Sequence, residues 1–331
     1  IRRHNDLPPL AENGGFGKPS VSTHLHNFHS APESDGGPCR FFERGQYYDY
    51  HHTMANAGFN TPEFSATDGD IRESLSTLWY HDHRLDFTAP NVYKGLAGFH
   101  LVFNEFDTGN ENTGFRLPSF PEFDIPLFLA DKLIDPETGL ICFDLFNFDG
   151  LVGDKFTVNG MIQPFLEVRK RRYRFRILDG GPARFYQLFL TDLDRPNQQI
   201  PFWIISNDGN LLPKPIQATS VRIGVAERFD IIVSNPPYIR SDVVKGLEPE
   251  VTKFDPMAAL DGGPDGLDAY RAIAEGAASH LEDQGLIGLE IGFDQRRDVT
   301  QIFELAGFSL VEERRDYGKN DRVLVFAKRL D

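Results

Sequence analysis

The chain has 331 residues, 40% apolar and 25% charged, enough for two or three soluble domains that each bury a core. Its formal charge of −15 argues against a nucleic-acid backbone or an anionic membrane surface as partner, and no run approaches the roughly 18 apolar residues of a membrane span. Two isolated cysteines, Cys39 and Cys142, exclude a disulfide scaffold and a cysteine-rich metal cluster. Ile1 opens the chain without a basic-then-apolar leader, so no signal peptide is expected within it.

In chain order, the first candidate element is Ser22–Asn27, which carries His24 and His26. A second extended run, Leu78-Trp79-Tyr80, leads into His81 and His83. Short aromatic and β-branched runs then predict strands at Gly98–Asn104, Asp124–Asp131, Tyr173–Leu178, Phe185–Leu190, Pro201–Ser206 and Phe229–Val233. Runs of this length, separated by Gly, Pro, Asn and Asp turns, are those of sandwiches or barrels. A boundary between two β units is expected at Glu105–Pro121, a polar stretch with Gly109, Gly114 and Pro118.

Composition changes near residue 234: 24 of the 29 Phe lie before it, and 9 of the 10 His lie between His4 and His100. Beyond it, Leu267, Tyr270, Ile273, Ala274, Ala277, Ala278 and Leu281 recur at helical spacing. Gly285–Ile291 reads as a strand and Asp294–Ala306 as a helix with Asp294 as its N-cap. Phe308–Glu313 and Arg322–Ala327 read as further strands. Helix–strand–helix–strand is the order of an α/β sheet, here about half the usual length for an independent domain.

The two histidine pairs carry the clearest chemistry. In an extended strand, residues i and i+2 share a face, so each pair presents two imidazoles side by side. Two such strands brought together converge four nitrogens, a donor set that suits copper or zinc, with copper(II) favoured by intrinsic affinity. A single His-x-His is a common coincidence; two pairs in one histidine-rich region are not. His29, His51 and His52 read as surface or loop residues, and His4, His100 and His280 as structural ones. Cys39 and Cys142 read as inert thiols.

The words around these pairs add to the spacing. Ser22-Thr23-His24-Leu25-His26-Asn27, Leu78-Trp79-Tyr80-His81-Asp82-His83 and Tyr93-Lys94-Gly95-Leu96-Ala97-Gly98 resemble the N-terminal cupredoxin domain of multicopper oxidases, nearest the bilirubin-oxidase and spore-coat-laccase branch. Phe156-Thr157-Val158-Asn159-Gly160, Ser206–Leu212 and Val225-Ala226-Glu227-Arg228-Phe229-Asp230 are similar to the middle cupredoxin domain. By that resemblance His24 would ligate a type 2 copper, and His26, His81 and His83 a type 3 pair. Trp79 and Asp82 would pack around the ligands; Asp82 could assist proton delivery or simply hold a strand turn. The family draws its remaining ligands from His-x-x-His-x-His and His-Cys-His. Beyond His100 this chain has only His280, and neither cysteine is flanked by histidine. A blue type 1 site and a full trinuclear cluster are therefore not expected from these residues alone. Ile1–Pro9 resembles the end of an early strand, so the first sandwich is expected to lack its start.

A second resemblance begins at residue 234. Ser234-Asn235-Pro236-Pro237-Tyr238-Ile239, Asp261-Gly262-Gly263, Asp265-Gly266-Leu267-Asp268 and Gly318-Lys319-Asn320-Asp321-Arg322-Val323 resemble the release-factor glutamine methyltransferases, which use S-adenosylmethionine. A planar amide nitrogen is a poor nucleophile, so a site must hold its N–H groups on acceptors and aim the nitrogen at the methyl. The Asn235 oxygen and the Pro236 carbonyl can supply those acceptors, and Tyr238 can pack against the flat amide. Such enzymes cradle their cofactor on a glycine-rich turn upstream of this motif. Upstream here, Arg176-Ile177-Leu178-Asp179-Gly180-Gly181 runs into another strand instead of a helix.

The expected fold is therefore mainly β: two cupredoxin-like sandwiches, 1–110 and 111–233, followed by a partial α/β methyltransferase-like segment, 234–331. Both families have a strand reading roughly Phe-Asp-Ile-Ile-Val at the join, which suggests how a fusion could keep its frame. The expected function is copper binding by a multicopper-oxidase-like protein that is not a complete oxidase by itself, with a small-molecule reductant and O2 as partners once the site is completed. The alternatives are a glutamine methyltransferase acting on a release factor with S-adenosylmethionine, and an inactive chimeric product. The oxidase part suggests an extracytoplasmic location and the methyltransferase part a cytoplasmic one.

Overall fold

The computed structural model describes residues 1–70, 73, 76–144, 146–147, 150–169, 171–192, 195–233, 238, 240–244, 261–280, 286–315 and 319–329. Among the described residues strand accounts for 37% and helix for 13%, so the fold is mainly β, as the short aromatic runs require. Two units are distinguished, Ile1–Phe165 with Tyr173–Val233, and Leu166–Arg172 with Ser234–Asp331. Among the described residues no helix is long and apolar enough to cross a membrane.

The first unit opens with short strands. β1 (Arg2–His4), β2 (Ser20–Val21), β3 (Thr23–His26), β4 (Phe42–Glu43) and β5 (Tyr47–Asp49) precede β6 (Thr77–Asp82), helix α1 (Thr88–Tyr93) and β7 (Ala97–Leu101). β1 pairs with β5, β2 with β4, and β6 lies between β3 and β7. Alternation along β3 and β6 sends Leu25, Leu78 and Tyr80 to one face, where they form a small core with Phe28 and Val102.

Ten further strands follow: β8 (Asp124–Lys132), β9 (Lys155–Val158), β10 (Met161–Ile162), β11 (Tyr173–Asp179), β12 (Tyr186–Asp192), β13 (Arg195–Ile200), β14 (Phe202–Asn207), β15 (Asn210–Ala218), β16 (Ser220–Ile223) and β17 (Arg228–Val233). Seven form one sheet in the order β10-β9-β8-β11-β17-β14-β15, and β13-β12-β16 form another. Ile177, Phe202, Val221, Ile223 and Ile231 build the core of this region. The Phe-Asp-Ile-Ile-Val strand at the join is β17, held antiparallel between β11 and β14.

β11 alternates Phe175 and Ile177 with Arg174 and Arg176, yet both arginines are 0% exposed. Arg174 donates to Asp107 (2.7 Å) and Asp230 (2.6 Å), and Arg176 makes two bonds to Asp124 (2.7 and 2.6 Å). Ser76 and Thr77 at the start of β6 accept further bonds from the two guanidinium groups, at 2.8–2.9 Å. Two cations and three carboxylates thus fasten β6 to the seven-stranded sheet through charge-assisted bonds.

Another buried acid behaves differently. Asp179 accepts the Gly181 N–H at 3.0 Å, while its Oδ2 has no partner among the described residues. Burial, with Asp131 and Glu227 nearby, pushes its carboxyl up to about 7. A carboxyl raised in the folded state stabilises fully below its unfolded pKa, and that contribution is lost as pH rises through about 7. Raising the pH from 5 to 8 should therefore cost the first unit on the order of 2–4 kcal/mol through this group. Urea unfolding of Asp179→Asn should show a correspondingly flatter pH dependence and a higher midpoint at pH 8 than the parent chain. Equal pH dependence in the two chains would contradict this.

The second unit contains α2 (Ser241–Val244), α3 (Asp268–His280), β18 (Leu286–Glu290), α4 (Arg296–Leu305), β19 (Phe308–Arg315) and β20 (Asp321–Lys328). Its sheet order is β18-β20-β19 with both pairings antiparallel. Tyr270 and Ala274 of α3 and Val299 and Phe303 of α4 pack on Leu289, Phe308, Leu324 and Phe326. α4 differs from expectation at its start: Gln295, not Asp294, occupies the N-cap, and without a side-chain cap bond. The Gln295 side chain is used elsewhere. It donates to the carbonyls of Tyr238 (2.8 Å) and Gly266 (3.1 Å) and accepts the Gly292 N–H (2.9 Å).

Candidate metal centre

β3 and β6 run antiparallel with His24 opposite His81 and His26 opposite Trp79. Because side chains alternate along a strand, His24, His26, Trp79 and His81 all project from one face, opposite the Leu25–Leu78 core. The ring centroid of His24 lies 5.6 Å from that of His26, 5.3 Å from His81 and 5.1 Å from His83. One ligand atom each from His24, His26 and His81 falls within 4.8 Å of the other two. His83 adjoins this trio, 5.6 Å from His81 by ring centroid, with its buried Nδ1 unpartnered among the described residues.

Backbone carbonyls fix two of the rings. His24 Nδ1 lies 2.5 Å from the Asp35 carbonyl oxygen and His81 Nδ1 lies 2.8 Å from that of Asp82. A carbonyl only accepts, so each Nδ1 carries the proton and each Nε2 turns its lone pair toward the cluster, as a metal-ligating imidazole requires. His26 Nδ1 is 3.1 Å from His81 Nε2. Metal–nitrogen bonds of about 2.0–2.1 Å at 90–109° put two nitrogens about 2.8–3.4 Å apart, so this spacing fits neighbouring ligands of one ion. Burial lowers His26 to about 3, with Arg228 and the other imidazoles adding to it, and burial lowers His81 to about 4. Both rings are neutral at pH 7, so a cation competes with no imidazolium proton there.

Trp79 lies tilted beside the cluster, its ring 4.3 Å from His81 and 5.3 Å from His26. His29 and His51 stand apart: His29 pairs with Glu73 at 3.2 Å, and His51 is exposed. His52 accepts or donates a bond with Ser30 at 3.2 Å, and His100 packs edge-on against Phe28. Both cysteines are free thiols. Two contributors carried no signal in the sequence: the Asp35 carbonyl, which belongs to backbone, and Asn91, whose amide reaches Asp82 from α1.

Of the three methyltransferase-type residues, Asn235 and Pro236 lie outside the described residues. Tyr238 is half-buried; burial pushes its hydroxyl up, and its carbonyl is held by Gln295.

No protein-family model matches the chain. A bilirubin oxidase from Albifimbria verrucaria is 32% identical over 218 residues, covering 66% of this chain and 34% of that protein. A release factor glutamine methyltransferase from Agrobacterium fabrum is 61% identical over 104 residues, covering 31% of this chain and 36% of that protein. Among solved structures, the McoA multicopper oxidase of Aquifex aeolicus superposes with a TM-score of 0.54 at 31% identity, covering 65% of this chain and 42% of its own. The chain thus spans about a third of the length of each of these two curated relatives. It is a composite, similar over two-thirds of its length to multicopper oxidases and over a separate, partial segment to release factor glutamine methyltransferases.

Proposed function

We propose that this protein binds copper at the face formed by β3 and β6, with His24, His26, His81 and His83 as ligands. The observation that carries the proposal is the convergence of imidazole nitrogens from two paired strands, with His26 Nδ1 and His81 Nε2 3.1 Å apart. In the multicopper-oxidase reading, His24 serves a type 2 copper and the other three a type 3 pair. Bound copper would supply redox chemistry toward O2 with a small-molecule reductant. The residues themselves hold lone pairs in place, and the Asp35 and Asp82 carbonyls fix the ring protons on the far side.

These 331 residues supply part of that chemistry. After His100 the sequence offers one histidine, and neither cysteine has a histidine beside it, so four-electron oxygen reduction needs ligands from elsewhere. The division into 1–110, 111–233 and 234–331 belongs to the same reading. Purified protein loaded with Cu(II) should retain copper through dialysis without developing the intense blue absorption of a His₂Cys site. Retention should fall sharply in His24→Ala and His81→Ala. A strong blue band, or equal retention by the variants, would refute this assignment.

The 61% identity over 104 residues to a glutamine methyltransferase favours a second reading. Asn235 and Pro236 would hold a substrate glutamine amide from a release factor, and Tyr238 would flank it, with S-adenosylmethionine as methyl donor. It requires that the full chain bind that cofactor and that Asn235→Ala abolish glutamine methylation. Calorimetry showing no uptake of S-adenosylmethionine at millimolar concentration would exclude it.

A further inference from the structure

Asn91 is only 1% exposed, and three residues from two separate segments use its amide. Its Nδ2 donates to Asp82 Oδ2 at 2.9 Å and to the Ser20 carbonyl at 3.3 Å, and its Oδ1 accepts the Lys18 N–H at 3.1 Å. Gly17 leaves room for it, since a Cβ there would come within 2.7 Å of Asn91 Oδ1. Asp82, 3% exposed and placed between His81 and His83, spends its remaining capacity on backbone. Its Oδ1 accepts the Ser22 N–H at 2.8 Å and its Oδ2 the Arg84 N–H at 3.2 Å.

Ser22 stands two residues before His24, and Arg84 directly follows His83. One buried carboxylate is therefore bonded to the entry of β3 and to the exit of β6, beside the ligand-bearing residues of both. A carboxylate accepting several donors at once has one orientation that satisfies them all, and a buried amide that loses its acceptor pays its full desolvation cost. The Asn91 amide selects that orientation from a third element, α1.

We infer that Asn91 and Asp82 are positioning residues of the histidine cluster: Asn91 locks the Asp82 carboxylate, and Asp82 sets the spacing of the His24 and His83 backbones. The inference rests on the reading of the cluster as a metal site. Neither side chain is a ligand in it. Removing groups that orient metal ligands typically weakens binding about 10–100-fold, and that is the effect expected of Asn91→Leu.

The test uses the full chain, Cu(II) as the probe, and two readouts. Copper affinity is followed by quenching of tryptophan fluorescence in the parent chain, Asn91→Leu, Asn91→Asp and the double variant Asn91→Asp with Asp82→Asn. Amide hydrogen exchange of Ser22 and Arg84 is measured on the same chains without metal. The expected result is weaker Cu(II) binding in Asn91→Leu with an unchanged far-UV spectrum, and faster exchange at both amides. Asn91→Asp sets two carboxylates against each other, so the double variant should bind Cu(II) more tightly than Asn91→Asp alone. Parent-like affinity in Asn91→Leu, or strictly additive effects in the double variant, would overturn the inference. If the parent chain binds no Cu(II), the metal reading fails, and exchange alone decides the positioning claim: unchanged protection of Ser22 and Arg84 in Asn91→Leu refutes it.

Discussion

Replacing His26 or His81 by alanine should weaken Cu(II) binding by more than the about 10–100-fold that loss of an orienting group costs, because each removes a ligand itself. The two nitrogens lie 3.1 Å apart, so one substitution takes away half of a donor pair already at ligand spacing. Binding can be followed through Trp79, whose ring is 4.3 Å from His81 and is one of two tryptophans in the chain. Paramagnetic Cu(II) at that range should quench most of the Trp79 emission and leave Trp203 as the residual signal. His51→Ala, at an exposed histidine outside the cluster, should titrate like the parent chain. Equal affinity in His51→Ala and His81→Ala would mean that copper binds to scattered surface imidazoles.

The largest effect on stability is expected from Arg174→Met. The substitution keeps the aliphatic volume but leaves Asp107, Asp124 and Asp230, which are 1%, 0% and 0% exposed, with Arg176 as the one cation still in the network. Burial alone would push the Asp230 carboxyl up, yet Arg174 and Arg176 outweigh it and hold it below the usual carboxylate range. Breaking a buried pair from one side costs about 3–5 kcal/mol, since the remaining charge is left uncompensated. For a unit of this size that corresponds to a fall in melting temperature on the order of 10 °C. Arg2→Ala, which breaks an ion pair whose partners are 52% and 57% exposed, should shift it by a degree or two at most. Similar shifts in the two variants would show that the network contributes no more than a surface pair does.

The features legible in the sequence were those with local periodicity. His24 and His26, and His81 and His83, are two residues apart, and a period of two fixes a shared face once the segment is extended. The aromatic and β-branched run Tyr173–Leu178 likewise marked β11. It does not show that Arg174 and Arg176 are buried. Their burial depends on Asp107, Asp124 and Asp230, which the fold brings in from distant positions and no local pattern announces. Asn91 escaped for the same reason, since its partners Lys18, Ser20 and Asp82 meet only in three dimensions. At α4 a local rule misled: Asp294 is a good N-cap by type, but the helix begins one residue later and Gln295 is drawn into a three-way bond between turns.

The composite character bears on function through one strand. β17 pairs on both sides within the first unit, so the Phe-Asp-Ile-Ile-Val stretch is built into the β sheet that precedes the join. Amplifying and sequencing uncloned source DNA across the codons for residues 220–245 would establish whether the joined reading frame exists there.

The central claim, that imidazoles of β3 and β6 form a copper site, is tested most directly by electron paramagnetic resonance of the full chain with less than one equivalent of Cu(II). The account predicts superhyperfine splitting from at least three nitrogens, abolished when His24, His26 and His81 are all replaced by alanine. An oxygen-dominated spectrum, identical in the parent and the triple variant, would contradict it.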